Sequence, residues 1–195
     1  MQELNERLDT ITKLCEEAKS KIDRILEDRP DFMKRDRSYP SLAFCHANPR
    51  VTGSAVKFSV IPAEGQNDGR LKLTIANQLT AGDRTAKVPT FPTFDWDNAK
   101  TVLLDFLEIS KILQVFRGET EQIDDGKGLY HVSNVGMTFV NLRHIYEPFA
   151  GYVLEVRSTK RDHETKEYHI VLGCAEALGL AEAIGGAMHR IAFGD

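Results

Sequence analysis

The chain runs through one order of segments and then, by pattern, through the same order again. Leu42-Ala43-Phe44-Cys45-His46 is followed by Ser54-Ala55-Val56-Lys57-Phe58-Ser59-Val60-Ile61, then Arg70-Leu71-Lys72-Leu73-Thr74-Ile75-Ala76, then Arg84-Thr85-Ala86-Lys87-Val88, and then a long apolar-periodic stretch opened by Asp95 and Trp96. At an offset of about 80 to 85 positions come Leu129-Tyr130-His131-Val132, Met137-Thr138-Phe139-Val140-Asn141-Leu142, Tyr152-Val153-Leu154-Glu155-Val156-Arg157, Tyr168-His169-Ile170-Val171-Leu172 and an Ala/Leu-rich stretch from Ala175. Residue identity is hardly shared; order and spacing carry the match. Self-similarity of this kind predicts two copies of one supersecondary unit and a pseudo-symmetric fold.

Inside the segments the period is two. Val56, Phe58 and Val60 alternate with Ala55, Lys57 and Ser59, and Leu71, Leu73 and Ile75 alternate with Arg70, Lys72 and Thr74. Antiparallel strands with one covered and one wet face read this way. The link over residues 62–69 ends in Asp68-Gly69, a hairpin turn signal. Asp95 is positioned to cap a helix whose apolar face runs through Trp96, Val102, Leu103, Phe106, Leu107, Ile109, Leu113 and Phe116, with Gly118 at the C-terminal glycine position. In the last helix Gly179, Gly185 and Gly186 cost stability, which points to close approach by a helix of the other copy or of another subunit. The expected fold is α+β: a tandem ββββα repeat, residues 42–118 and 127–195, making two antiparallel four-stranded sheets with the helices packed on one side.

Ahead of the repeat, Leu4, Leu8, Ile11, Cys15, Ala18, Ile22 and Ile25 follow one another in steps of 4 and 3, the spacing of a coiled-coil seam. Leu14 and Leu26 widen that stripe, so it packs either on the protein's own body or on a second copy. The expected organisation is an amphipathic helix over 1–30, stopped by Pro30, a linker over 31–41, and one domain over 42–195.

Chemistry-bearing motifs are sparse. Cys15, Cys45 and Cys174 are far apart with no C-x-x-C, which fits reduced thiols in the cytoplasm or another reducing compartment rather than a zinc site or redox pair. No apolar run reaches membrane-span length, and the N-terminus, with Glu3, Glu6, Arg7 and Asp9, has no signal-peptide pattern. The histidines form no H-E-x-x-H, and phosphate-binding glycine loops and nucleophile elbows are absent. Asp95 with Asp97, and Asp124 with Asp125, read as caps and turns. The chain therefore reads as a non-enzyme, with no catalytic residue, metal ligand or cofactor. His46 and His131 stand at matching places at the ends of the two first strands.

The net charge is −4, but its distribution is uneven. Residues 33–88 hold nine basic and four acidic side chains, and residues 89–126 hold three and eight. The expected sheets are thus basic and the expected helices acidic, which would give the molecule one face suited to phosphates. Lys57, Arg70, Lys72, Arg84, Lys87, Arg143, Arg157, Lys160 and Arg161 lie on the outward sides or ends of expected strands, interleaved with Tyr130 and Tyr152. Cations that track phosphates and rings on which bases stack are the two parts that a binder of single-stranded nucleic acid needs.

Two ββββα units in tandem resemble the Whirly-type fold of single-stranded-DNA-binding transcriptional regulators, shared with mitochondrial guide-RNA-binding proteins. The resemblance covers residues 42–195 and is closest at Thr52-Gly53-Ser54-Ala55-Val56-Lys57-Phe58-Ser59-Val60-Ile61-Pro62, at Gly69-Arg70-Leu71-Lys72-Leu73-Thr74-Ile75-Ala76-Asn77 and at Met188-His189-Arg190-Ile191. It implies two sheets packed nearly at right angles, assembly of copies through the helices, and a strand of nucleic acid threaded along the sheet edges. The family's lysine-glycine-lysine motif is absent, since Thr52 and Ser54 flank Gly53. That removes the basis for expecting assembly beyond a tetramer and the phosphate contacts of those lysines. The expected partner is single-stranded DNA, with RNA as the alternative, and the expected state is a dimer or tetramer. DNA is favoured by the resemblance alone. The competing reading is a structural or protein-interaction module that oligomerises through its N-terminal helix.

Overall fold

The computed structural model describes residues 40–194 apart from 135, 149, 162 and 163. The expected heptad helix and nearly all of the 31–41 linker lie outside the described residues. The elements are β1 (Ser41–His46), β2 (Ser54–Ile61), β3 (Arg70–Thr80), β4 (Thr93–Phe94), β5 (Lys100–Leu104), α1 (Phe106–Phe116), a 3-10 turn (Ile123–Gly126), β6 (Leu129–Ser133), β7 (Gly136–Ile145), β8 (Gly151–Lys160), β9 (Thr165–Gly173) and α2 (Cys174–Phe193). The fold is α+β with two antiparallel sheets and two helices.

The first sheet is ordered β1-β2-β3, and the far edge of β3 is shared by β4 and β5, which makes five strands where four were expected. The second is the four-stranded meander β6-β7-β8-β9. Register fixes the faces, because directly opposed residues point the same way. Val56 stands between Phe44 and Ile75, and Phe58 between Leu42 and Leu73, all toward the helices. In the second sheet the helix-facing rows are Leu142-Leu154-Ile170 and Val140-Val156-Tyr168. These rows close on Ile109, Ile112 and Val115 of α1 and on Leu180, Ile184 and Ile191 of α2 in one apolar core.

Two segments differ from expectation, each for a local reason. Residues 84–88 are not a strand. The Asp83 carboxylate accepts the backbone N–H groups of Thr85 (2.8 Å) and Ala86 (3.1 Å) and the Thr85 hydroxyl (2.7 Å), closing a turn that outcompetes extended pairing. The fourth strand of the first half is instead β5, whose Val102 and Leu104 face inward opposite Leu73 and Leu71. The helix consequently starts ten residues later than expected. Asp105, not Asp95, is its cap, accepting from the Glu108 N–H at 2.9 Å while Glu108 accepts from the Asp105 N–H at 2.9 Å. Asp95 caps only the short turn to Asn98. Gly118, at φ 73°, does sit just past the end of α1.

These shifts break the constant offset. It is 82 positions from Ser54 to Gly136 and 81 from Arg70 to Gly151, but 65 from Lys100 to Thr165. The charge expectation needs correction too. The carboxylates of residues 89–126 sit mainly in connections (Asp95, Asp97, Glu119, Glu121, Asp124, Asp125), while α1 itself carries only Glu108 against Lys111. Among the described residues no helix backbone closes on the glycines of α2. A Cβ at Gly179 or Gly186 would touch nothing within 4 Å, and one at Gly185 would meet only the Arg117 guanidinium at 3.4 Å.

The halves are tied at the outer edge of β9. The Ser54 hydroxyl donates to the His169 carbonyl, the Asn77 amide to the Glu167 carbonyl at 3.5 Å, and the Tyr168 hydroxyl to the Asn98 carbonyl at 3.1 Å. Two of the edge carbonyls of β9, those of Glu167 and His169, are thereby satisfied from the other half.

Candidate functional site

Each sheet turns one face away from the helices, and the two faces differ in charge. Strands β1–β5 contain no carboxylate and four cations, of which Lys57, Arg70 and Lys72 belong to the outward face while Lys100, in register with Ile75, belongs to the helix-facing side. Lys57 lies in register with Ala43 and Thr74 on the outward face, and Lys72 with Ser59 and Leu103. They are diagonal neighbours on adjacent strands, both are exposed, and neither is ion-paired among the described residues. Arg70, at the start of β3, bonds its guanidinium to the Gly69 carbonyl at 3.0 Å, with Asp68 at 3.6 Å.

On the second sheet one outward row runs Tyr130, Phe139, Arg157, Glu167. The rings of Tyr130 and Phe139 lie 5.1 Å apart at 54°, and Tyr130 is 58% exposed. Arginines here are compensated. Arg157 Nε stands 2.8 Å from Glu167 Oε1, and Arg143 Nη2 stands 3.4 Å from Glu155 Oε1. An incoming phosphate must displace a carboxylate to reach them, whereas Lys57 and Lys72 lack that competitor.

The remaining expected residues scatter. Arg84 and Lys87 are exposed in the β3–β4 loop. Lys160 is paired with Glu164 at 2.6 Å, and Arg161 is exposed at the β8–β9 tip. Tyr152 belongs to the opposite face. It is in register with His144 and Leu172, its ring meets Phe116 edge-on at 5.3 Å, and its hydroxyl donates to the Phe116 carbonyl at 3.2 Å. Its alternation with core residues Leu154 and Val156 marks that side.

Three kinds of residue escaped the sequence reading. Phe91 is 73% exposed and Trp96 41%, on the segment around β4, and Trp96 lies outside the helix expected of it because residues 100–104 pair as β5 and α1 begins only at Phe106. Lys100 was hidden inside the same misassigned helix, and Lys166 stands at a helix-facing position of β9.

The described residues hold no group of three or more potential metal ligands. Burial pushes the Cys45 thiol up, the opposite of an activated nucleophile. His46 and His131 each lie beside a glutamate: His46 Nε2 is hydrogen-bonded to Glu176 Oε1 at 2.8 Å, and His131 Nε2 is 3.1 Å from Glu108 Oε1 without hydrogen-bond geometry. Both glutamates are helix-capping residues.

No protein-family model and no curated protein matches the chain. Solved structures do. The chain superposes on WHY1 from Arabidopsis thaliana with a TM-score of 0.62, over 80% of this chain and 86% of that one, at 14% identity. A guide-RNA-binding protein complex bound to a gRNA gives 0.55 over 80% and 94%, at 18% identity. The plant transcriptional regulator PBF-2 gives 0.54 over 78% and 90%, at 14% identity. The chain has the Whirly-type fold.

Proposed function

We propose that this protein binds single-stranded nucleic acid, DNA foremost, through its outward sheet faces and with little regard to sequence. The observation that carries the reading is the charge of the first sheet's outward face, which holds Lys57, Arg70 and Lys72 on strands without a carboxylate although the whole chain is net negative. Lys57 and Lys72 attract phosphates, and the exposed Tyr130, packed on the half-buried Phe139, supplies ring surface for bases, each stack being worth about 1–3 kcal/mol. The likeness in fold to a complex bound to a gRNA and to a transcriptional regulator supports this reading. The biological setting would be replication, recombination, repair or transcription, with no catalysis by this chain. Exposed, unpaired Cys45 and Cys174 fit a reducing compartment.

Copies of the chain assemble through the helices. Leu107 of α1 and Leu178 and Phe193 of α2 are 70%, 63% and 78% exposed, and Gly179 and Gly186 leave their side of α2 open. Intact-mass measurement of the native protein checks this, and a monomer at every concentration refutes it. The two sheet-helix units are read as copies of each other.

Binding is tested by the anisotropy of a labelled oligo-dT at low and high salt. Tight binding that falls steeply with salt is the expected result, because association releases counterions. Absence of binding at low salt removes the reading and leaves the protein-interaction module.

A further inference from the structure

The helix-facing side of the second sheet changes character along its length. The rows Leu142-Leu154-Ile170 and Val140-Val156-Tyr168 are apolar apart from the tyrosine hydroxyl. The next row is Thr138-Ser158-Lys166, and beyond it come Gly136 and Lys160, with Ser133 opposite Gly136. A sheet face that served only to cover a core would stay apolar or simply end. Here it runs on into a cleft of about 450 Å³, walled on the far side by Asn98 and Lys100 from the other half of the chain. A cleft of this size falls within the range of sites that hold small groups.

Among the described residues the lining carries three ammonium groups, Lys100, Lys160 and Lys166, against one carboxylate, Glu164, which is paired with Lys160 at 2.6 Å. Lys100 and Lys166 have no ion-pair partner among the described residues. The hydroxyls of Thr138, Ser158 and Ser133 add donors. Gly136, at φ 156°, lets β7 run close against β8, since a Cβ there would collide with the Thr159 carbonyl. The cations exclude a metal ion, and a base finds no platform, because Tyr168 is only 6% exposed and its hydroxyl is engaged by Asn98. What the cleft offers is charge-assisted and hydroxyl donors, which is the chemistry of phosphate recognition.

We propose that this cleft, on the opposite side of the second sheet from Tyr130 and Arg157, holds a backbone phosphate of the bound strand between Lys100 and Lys166, with Ser158 and Thr138 as neutral donors. The proposal rests on the single-strand-binding reading and adds to it a second place of contact. It implies that the strand wraps around the sheet rather than lying on one face.

The test compares two variants of the full chain, Lys100→Gln with Lys166→Gln, and Lys57→Gln with Lys72→Gln. Affinity for labelled oligo-dT is measured across salt. Losing one phosphate contact should weaken binding about fivefold at ~0.1 M salt and flatten the salt slope by roughly 0.7. An oligomer of abasic sites should suffer the same fold loss, since the contact is to the backbone. Competition by free thymidine monophosphate, weakened in the cleft variant, would place a free or terminal phosphate in the cleft instead of a backbone one and overturn the proposal as stated. Weakening in the outward-face variant with wild-type binding in the cleft variant also overturns it, while leaving the general reading intact. Absence of binding by the wild-type protein removes both. Thr138→Val keeps the shape and removes one hydroxyl, and should give a smaller loss in the same direction with unchanged melting temperature.

Discussion

Replacing Lys57 and Lys72 by glutamine is the sharpest test of the proposed surface, because its size follows from their surroundings. Both are exposed, lie diagonally on adjacent strands and share their sheet with no carboxylate. Each is therefore free to neutralise one phosphate and release the counterions condensed on it. For a single strand the logarithm of affinity falls with the logarithm of salt at a slope of about −0.7 per neutralised phosphate. Removing two contacts should flatten the slope by about 1.4, which corresponds to a loss of about 25-fold at ~0.1 M salt and almost none near ~1 M. The assay is a set of anisotropy titrations of labelled oligo-dT across that range. The signature is the slope rather than the affinity at one condition, since a folding defect would lower affinity at every salt concentration without this convergence. A variant that keeps the wild-type slope would show that the two lysines touch no phosphate, and the charge argument for this face would fail.

Glu167→Gln should tighten binding, because it frees Arg157 from its 2.8 Å partner; anisotropy reads the gain, about fivefold at ~0.1 M salt if one phosphate contact is added. Tyr130→Ala should cost about 1–3 kcal/mol of binding if the ring stacks on a base, whereas Tyr152→Phe should leave binding unchanged and lower stability by about 1 kcal/mol in denaturant titration, for loss of the bond to Phe116. Glu176 has its own pH signature: burial pushes its carboxyl up, but the hydrogen bonds from His46 and the Gly173 N–H, with the charge of His46, outweigh that and hold it below its ordinary 4.5. With the folded value the lower, its contribution is present above that pH and lost as pH falls through the folded value, so Glu176→Gln should melt lower than wild type at neutral pH and converge with it in acid.

Elements with strict alternation were legible in the sequence. The strands carrying Val56-Phe58-Val60, Leu71-Leu73-Ile75 and Leu154-Val156 fell where the pattern put them, and the last helix began at Cys174, one residue before its apolar stretch. The failures share one cause, local chemistry that a residue tally overlooks. Asp83 folded its own neighbours into a turn, although Thr85 and Val88 favour strands. Residues 102–107 are apolar at Val102, Leu103, Leu104, Phe106 and Leu107, so strand and helix periods overlap there. The deciding signal was present in the spacing of Asp105 and Glu108, an N-cap followed three residues later by a glutamate. Single cations were equally legible. Their worth was not, because the pairing of Arg157 with Glu167, or the freedom of Lys72 opposite Ser59 and Leu103, depends on cross-strand register, which no single strand encodes.

The two histidines bear on how the halves are related. The third residue of each helix is a glutamate that accepts the N–H of its own cap, Glu108 from Asp105 and Glu176 from Gly173, each at 2.9 Å. Each of those glutamates also reaches a histidine on the first strand of the other half, Glu108 to His131 and Glu176 to His46. One such contact would be an ordinary surface pair, worth about 0–1 kcal/mol. Two reciprocal contacts, joining matching strands to matching helix starts, require each helix to begin beside the opposite unit's first strand. A gene duplication about a pseudo-twofold axis would leave that arrangement. Sequence offset is a poorer guide, because it is reset by every loop, and residues 81–99 reset it here. Reciprocal contacts are set by the packing itself, so they would persist after spacing and residue identity had drifted.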